Sequence, residues 1–198
     1  MGQGFDTKSV HITMKRDGIP TKVTPIHQTS AFTFKDLEDI ENFYTGERDY
    51  LYTRVGNPNT DELGQAVAKL EGAPSGIATS SGLSAILVGL LSVVKSGDHV
   101  LASNDLYGGT YELLANELTE FGIEVSFISF DAEIEEHIQP NTVLLYTESI
   151  TNPLLRVENL KKSCRNRKET SAENNDRQYI CNTLLSSTIC IRSRFSCP

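Results

Sequence analysis

At 198 residues and a net charge of −8, the chain can hold one core of ordinary size and is ill suited to a nucleic-acid or anionic-membrane surface. No apolar run approaches the roughly 20 residues that a bilayer span needs, and the N-terminus carries no signal-peptide core. Met1-Gly2 is not read as a myristoylation signal, because Asp6 stands where Ser or Thr is wanted.

In chain order, residues 1–50 read as an N-terminal arm with little periodicity, broken by Pro20 and Pro25. A helix is expected to begin near Asn59, which can cap it with Glu62 three residues on. Leu63, Val67 and Leu70 make its apolar stripe, and Gly72 supplies a left-handed stop. A short strand is expected over 77–79. From about Ser81 a second helix follows, with Leu83, Ile86, Leu87, Leu90, Leu91 and Val94 at helical spacing and a stop at Gly97. Next come a strand over 99–103, a helix over 110–121 stopped by Gly122, and an alternating strand over 123–130. A short helix over 132–138 and a buried strand over 142–147 complete the pattern. Strands alternating with helices of this length predict crossovers, hence an α/β fold with a mostly parallel sheet. Ligands of such sheets sit at the carboxyl ends of strands. The turns after Thr79, Ser103 and Thr147 are therefore the places to search.

Each of those turns carries unusual chemistry. Ser80-Ser81-Gly82-Leu83 opens a helix whose free amides and dipole suit an anion, with glycine admitting a phosphate to the backbone. An ordinary Ser-capped helix has the same sequence. Tyr107-Gly108-Gly109 can present a flat ring to a planar ligand, or be a surface loop with a half-buried tyrosine. Glu148-Ser149-Ile150-Thr151-Asn152-Pro153 can aim an amide at a ligand, although Asn-Pro alone mostly marks a turn. In the arm, Tyr52 and Arg54 fall on one side of an extended stretch, where Arg suits bidentate phosphate contact. The plainer alternative is a solvated Arg beside a packed Tyr.

Together, in this order and spacing, these stretches resemble the trans-sulfuration family, the pyridoxal-phosphate-dependent enzymes of cysteine metabolism and methionine biosynthesis. That family includes cystathionine synthases and lyases and O-acetylhomoserine sulfhydrylases. The resemblance runs from about Phe5 to Lys162, and takes in Pro25-Ile26-His27-Gln28-Thr29-Ser30 and Asn152-Pro153-Leu154-Leu155-Arg156-Val157. It implies a partial large domain of the fold-type I PLP-dependent transferases over 51–163, with helices on both faces of the sheet. It also implies pyridoxal 5'-phosphate as cofactor, an amino-acid substrate, and a homo-oligomer of the tetramer-of-dimers type. Tyr52 and Arg54 would reach the cofactor phosphate of a neighbouring subunit, and Gly82 and Leu83 would offer that phosphate backbone amides. Tyr107 would stack on the pyridine ring, and Asn152 would lie near its 3'-oxygen. Ile150 stands where the family usually has proline, which leaves the course of that loop open. The implied reaction removes an α-proton and then eliminates or replaces a group at the β or γ carbon; the cysteine-free body up to residue 163 fits a reducing cytoplasm. Synthase, lyase and sulfhydrylase are not distinguished.

At about Ser163 the sequence changes character. All four cysteines (Cys164, Cys181, Cys190, Cys197) lie after it, among Arg, Asn, Ser and Thr without period. Their confinement there favours coincidence over a disulfide framework, and no metal site is assigned. Beyond the third strand the family continues with an Asp-Asn-Thr strand end, whose Asp keeps the pyridine nitrogen protonated. A Ser-x-Thr-Lys segment with the Schiff-base lysine follows, and then a C-terminal domain. None is present; Lys161, Lys162 and Lys168 have the wrong surroundings, so no catalytic residue is assigned.

Synonymous codons for the tail, read one nucleotide later, spell family sequence. Cys-Arg-Asn-Arg-Lys-Glu from residue 164 becomes Ala-Glu-Ile-Ala-Lys. The run continues Lys-His-Gln-Leu-Lys-Ile-Met-Ile-Asp-Asn-Thr-Phe-Ala-Thr-Pro-Tyr and ends Leu-Gly-Ala-Asp-Leu-Val-Val. Residues 164–198 are therefore expected to be an out-of-frame, disordered tail. Sheet edges would lie open before it, and its uncharged stretch 183–191 would favour aggregation. Three readings compete: the N-terminal part of an enzyme, a catalytically inactive product of a disrupted gene, and a truncated subunit that binds intact ones.

Overall fold

The structure is a computed structural model that describes residues 4–11, 23–129 and 134–157, and the backbone alone of 178–183 and 188–192. The chain divides into two compact units, Met1–Ala78 and Thr79–Pro198. The sequence alone places boundaries at 50 and 163 instead. The difference has a local cause, because the end of the arm is hydrogen-bonded to the segment that follows it.

The first unit holds helices α1 (Phe5–His11), α2 (Leu37–Thr45) and α3 (Pro58–Glu71). The first two were hidden in an arm without periodicity. The α2 helix buries none of its residues and is set by its ends: Asp36 accepts from the Asp39 N–H at 2.9 Å, and Gly46 closes it at φ 83°. Asn57, not Asn59, caps α3; its side chain accepts from the Asn59 N–H at 2.9 Å, and Pro58 takes the first helical position, where no donor is lost.

Asn59 is thereby free for the arm: its Nδ2 donates to the Pro25 carbonyl at 2.9 Å and its Oδ1 accepts from the His27 N–H at 2.8 Å. Asn57 Nδ2 donates to the His27 carbonyl at 3.0 Å. Ala31 bridges antiparallel to Tyr52, with the Phe32 N–H on the Leu51 carbonyl at 3.1 Å and the Thr53 N–H on the Ser30 carbonyl at 3.0 Å. The Pro25 and Tyr52 strings are thus halves of one hydrogen-bonded element. The strand expected over 77–79 does not form. Here Gly76 crosses α3 backbone to backbone: a Cβ on Gly76 would meet the Gly64 carbonyl oxygen at 2.4 Å.

The second unit runs through α4 (Gly82–Leu91), β1 (His99–Ser103), α5 (Gly108–Glu112), a π-helical turn (Leu113–Glu117), α6 (Leu118–Glu120) and β2 (Glu124–Ile128). A 3-10 turn (Ile134–His137), β3 (Thr142–Glu148), β4 (Gln178–Thr183) and β5 (Thr188–Arg192) follow. The sheet order is β2-β1-β3-β4-β5, parallel throughout except for β4 with β5. This is the expected α/β architecture with a largely parallel sheet. The α4 helix stops at Leu91, short of Gly97, because the Ser92 hydroxyl donates back to the Gly89 carbonyl at 2.7 Å and the Val93 N–H turns onto the Leu90 carbonyl. The helix expected over 132–138 is a four-residue 3-10 turn, with residues 132 and 133 outside the described set.

Strand alternation sends Val100, Ala102, Leu144 and Tyr146 to one face, where Ile86, Leu90, Leu114 and Leu118 cover them. Leu101 and Leu145 face the other way, against Ile128 and Ile134. Fully burying one such Leu contributes about 1.5–3 kcal/mol. At the amino ends of the strands, buried His99 joins all three: its Nδ1 pairs with Thr142 Oγ1 at 2.7 Å and its Nε2 with Ser126 Oγ at 3.0 Å. Burial depresses its pKa, and Glu124 opposes that shift.

The disorder expected over 164–198 does not hold for 178–183 and 188–192. The backbone of β4 pairs with the edge of β3, Glu148 opposite Asn182, and β5 folds back on it. An edge offers its N–H and C=O groups to any extended segment, whatever its side chains. The stretch 183–191, expected to aggregate, overlaps β5 and the end of β4. Residues 158–177, with Cys164, Lys161, Lys162 and Lys168, lie outside the described set, as does Cys197.

Candidate functional site

Two loops leave the carboxyl ends of β1 and β3, and the start of α4 lies beside the first of them, where a Cβ on Gly109 would meet Leu83 Cδ1 at 3.3 Å. Ser81 is the N-cap of α4; its Oγ accepts from the Ser84 N–H at 3.1 Å, and its carbonyl accepts from the Ala85 N–H at 3.0 Å. Two first-turn amides, those of Gly82 and Leu83, have no acceptor among the described residues. Nothing lies within 4 Å of the place where a Cβ on Gly82 would stand. Two open N–H groups at a helix N-terminus, beside backbone that can be approached closely, form a fitting cup for a phosphate.

At the first loop, Tyr107 directly precedes α5 and is 46% exposed. Gly109 forms a floor for that ring: a Cβ there would meet Tyr107 Cε1 at 2.7 Å and Leu83 Cδ1 at 3.3 Å. The structure therefore brings Tyr107, Gly109 and Leu83 together. A half-exposed ring beside a phosphate cup suits a planar phosphorylated ligand.

The second loop leaves β3 at Glu148. Ile150 bridges antiparallel to Val157, and buried Thr151 anchors the turn: its N–H donates to the Arg156 carbonyl at 2.9 Å and its Oγ1 accepts from the Arg156 N–H at 3.0 Å. Leu155 takes a left-handed φ of 52°, and Asn152-Pro153 is cis. The non-proline Ile150 is thus accommodated in a closed hairpin, with Asn152 exposed at its tip. Arg156 Nε lies 3.8 Å from Asp105 Oδ2, tying this loop to the Tyr107 loop.

Sequence reasoning missed the residue behind these loops. Glu148 is 1% exposed; its Oε2 accepts from the Tyr107 N–H at 3.1 Å and its Oε1 from the Thr110 hydroxyl at 3.3 Å. Burial pushes its pKa up, the two hydrogen bonds pull it down, and Asp105 pushes it up again. Its signal was a carboxylate closing an otherwise apolar strand.

Tyr52 and Arg54 belong to the first unit. The Arg54 guanidinium lies 4.5 Å from the centroid of the Tyr52 ring, and both side chains are exposed. Just before them, burial and then Asp61 push the Tyr50 phenol up to about 12, so it remains a donor to Asp61. The Tyr50 ring packs on Phe32 at 5.4 Å and anchors the stretch from which Tyr52 projects.

Open amides at the start of α4 beside a half-exposed tyrosine, in an α/β domain, are features that would suit a planar, phosphorylated ligand. The family model described as Cys/Met metabolism PLP-dependent enzyme matches residues 6–191, and the chain belongs to that family of pyridoxal-phosphate-dependent enzymes. L-methionine gamma-lyase of Porphyromonas gingivalis is 37% identical over 167 residues, 83% of this chain and 42% of that protein. Cystathionine beta-lyase of Bacillus subtilis is 36% identical over 160 residues, 79% of this chain and 39% of that one. Among solved structures, an O-acetylhomoserine (thiol)-lyase of Campylobacter jejuni with a pyridoxyl-lysine phosphate superposes with a TM-score of 0.81 at 31% identity, over 92% of this chain and 44% of that one. The chain spans about two fifths of the length of the curated relatives it matches.

Proposed function

We propose that this chain is the amino-terminal part of an enzyme that eliminates or replaces a group at the β or γ carbon of a sulfur amino acid or O-acylhomoserine. The observation that carries this reading is the pair of open amides at Gly82 and Leu83 beside the Tyr107 ring. Pyridoxal phosphate supplies an electron sink when bound. The Gly82 and Leu83 amides would hold its phosphate, the Tyr107 ring would lie against its ring, and the Asn152 amide would serve its 3'-oxygen. Tyr52 and Arg54 serve the phosphate of a neighbouring subunit in a homo-oligomer. The relatives named as lyases, synthases and sulfhydrylases support the class of reaction. A cysteine-free body up to residue 163 suits a cytoplasmic setting.

We further propose that the reading frame shifts by one nucleotide near Ser163 and that the chain as written is catalytically silent. The family sequence that synonymous codons for the tail would spell in the next frame supports this. No residue here stands where the family has its lysine. Sequencing the gene across codon 163 tests the frame, and finding no alternative frame that encodes Asp-Asn-Thr would refute it. A corrected chain should bind pyridoxal phosphate and release sulfur-linked groups from its substrate. A corrected chain that folds yet binds no cofactor would overturn the functional reading.

A further inference from the structure

We propose that Glu148 is the positioning residue for Tyr107, its buried carboxyl fixing the backbone and helical turn from which the ring projects. Tyr107 is the N-cap of α5, yet its own side chain makes no capping bond. The cap comes from another strand instead: one Glu148 oxygen takes the Tyr107 N–H and the other takes the Thr110 hydroxyl, three residues on. Thr110 is itself buried, so the two bonds clamp the start of the helix to the end of β3.

Packing alone does not require an acid here. A buried carboxylate is costly, and an apolar side chain would serve the core of the sheet better. What Glu148 uniquely supplies is two acceptors at the point where the loop leaves the sheet. Everything that restrains the half-exposed ring then follows: the backbone at 107, the Gly109 floor, and Leu83 beside it. The arrangement tolerates either protonation state, because the Thr110 hydroxyl can donate to a carboxylate or accept from a carboxylic acid. That freedom suits a group whose burial favours the proton.

The consequence for cofactor binding rests on the proposed function, but the positioning itself can be tested without ligand. The full chain, labelled with 3-fluorotyrosine, gives one 19F line per tyrosine, assigned by Tyr→Phe variants. Glu148→Leu should move the Tyr107 line to the position of free tyrosine. The line of Tyr111, whose ring stacks on Phe127 at 4.4 Å, should stay in place. Glu148→Gln, which keeps an acceptor and a polar partner for Thr110, should leave both lines where they are. Thr110→Val, which removes one of the two bonds, should move Tyr107 part of the way, and it decides the matter if Glu148→Leu does not fold.

An unmoved Tyr107 line in Glu148→Leu and Thr110→Val would overturn the proposal. So would lines of Tyr107 and Tyr111 that shift together in Thr110→Val, since that marks a general structural role. In a second arm, pyridoxine 5'-phosphate, which cannot react with lysines, is titrated into each protein. Glu148→Leu should raise its dissociation constant about tenfold and Glu148→Gln less than about threefold. Absence of binding even to the parent chain, with the 19F lines moving as expected, would sink the cofactor reading while leaving Glu148 as the residue that positions the ring.

Discussion

Tyr107 rests on Gly109 so closely that a single methyl group there would stand 2.7 Å from the ring. The glycine is therefore a seat for the aromatic platform, and Gly109→Ala should unseat it. The obstructing atoms are the ends of two flexible side chains, so folding should suffer little. Losing one aromatic contact of about 0.5–1.5 kcal/mol predicts a roughly two- to tenfold weaker affinity for pyridoxine 5'-phosphate. Calorimetric titration beside a melting curve separates the two effects. A large drop in melting temperature with unchanged affinity would contradict the assignment.

Gly64 and Gly76 meet differently. Each would drive a Cβ into the other's carbonyl group, at 2.3 and 2.4 Å, and backbone cannot swing aside as a tyrosine can. Gly64→Ala or Gly76→Ala should therefore cost about 1–3 kcal/mol of the first unit's stability. Hydrogen exchange should report lost protection in α3, with β1 amides as the control.

His99 predicts how stability depends on pH. Its folded pKa lies below the usual 6.5, so the unfolded chain binds more protons on acidification. The contribution of the neutral ring is complete above about pH 6.5 and is lost as the pH falls below it toward the folded value. The melting temperature should fall on acidification through that window. In His99→Asn the slope should flatten, at the cost of a lower plateau. Parallel slopes in parent and variant would show that other groups set the dependence.

The sheet is legible in the sequence because β1 and β3 are short, largely apolar runs, and Gly72 and Gly122 adopt the left-handed φ that helix stops require. Periodicity failed where capping governed: α2 buries nothing, and Asn57 won the cap of α3 because Pro58 prefers the first helical position. It failed again over 77–79, since a run that looks like a strand needs an edge to join, and Gly76 just before it crosses α3 instead. The residues that present groups outward (Gly82, Leu83, Tyr107, Asn152) stood in turns and could be read there. Glu148, Thr151 and Gly109 act from beneath, through contacts that join distant segments, and no local pattern announces such contacts.

The chain carries no lysine in the family's Ser-x-Thr-Lys setting. Pyridoxal phosphate added to the purified protein should accordingly give no absorbance near ~420 nm that borohydride fixes onto one residue. Scattered substoichiometric labelling of surface lysines is the expected background. Stoichiometric reduction onto a single lysine, located by peptide mapping, would refute the statement that the chain is catalytically silent.

Arg54 and Tyr52 allow the proposed oligomer to be tested. Their side chains stand together on the first unit, guanidinium over ring at 4.5 Å, with no acidic partner for Arg54 among the described residues. A cation held in this way is available to a phosphate. In a frame-corrected enzyme, Arg54→Ala should weaken cofactor binding by about 1.5–3 kcal/mol, the contribution of a charge-assisted hydrogen bond. Tyr52→Phe should cost less, since the ring beneath the guanidinium remains and only a hydroxyl contact goes. If the pair serves the neighbour's site, mixing Arg54→Ala subunits with subunits lacking the Schiff-base lysine should regenerate intact sites. Each such site would take its arm from one parent and its lysine from the other. Mixed oligomers without activity, from parents that each fold and assemble, would show that the arm serves its own subunit. The roles of both residues would then have to be reassigned within one chain.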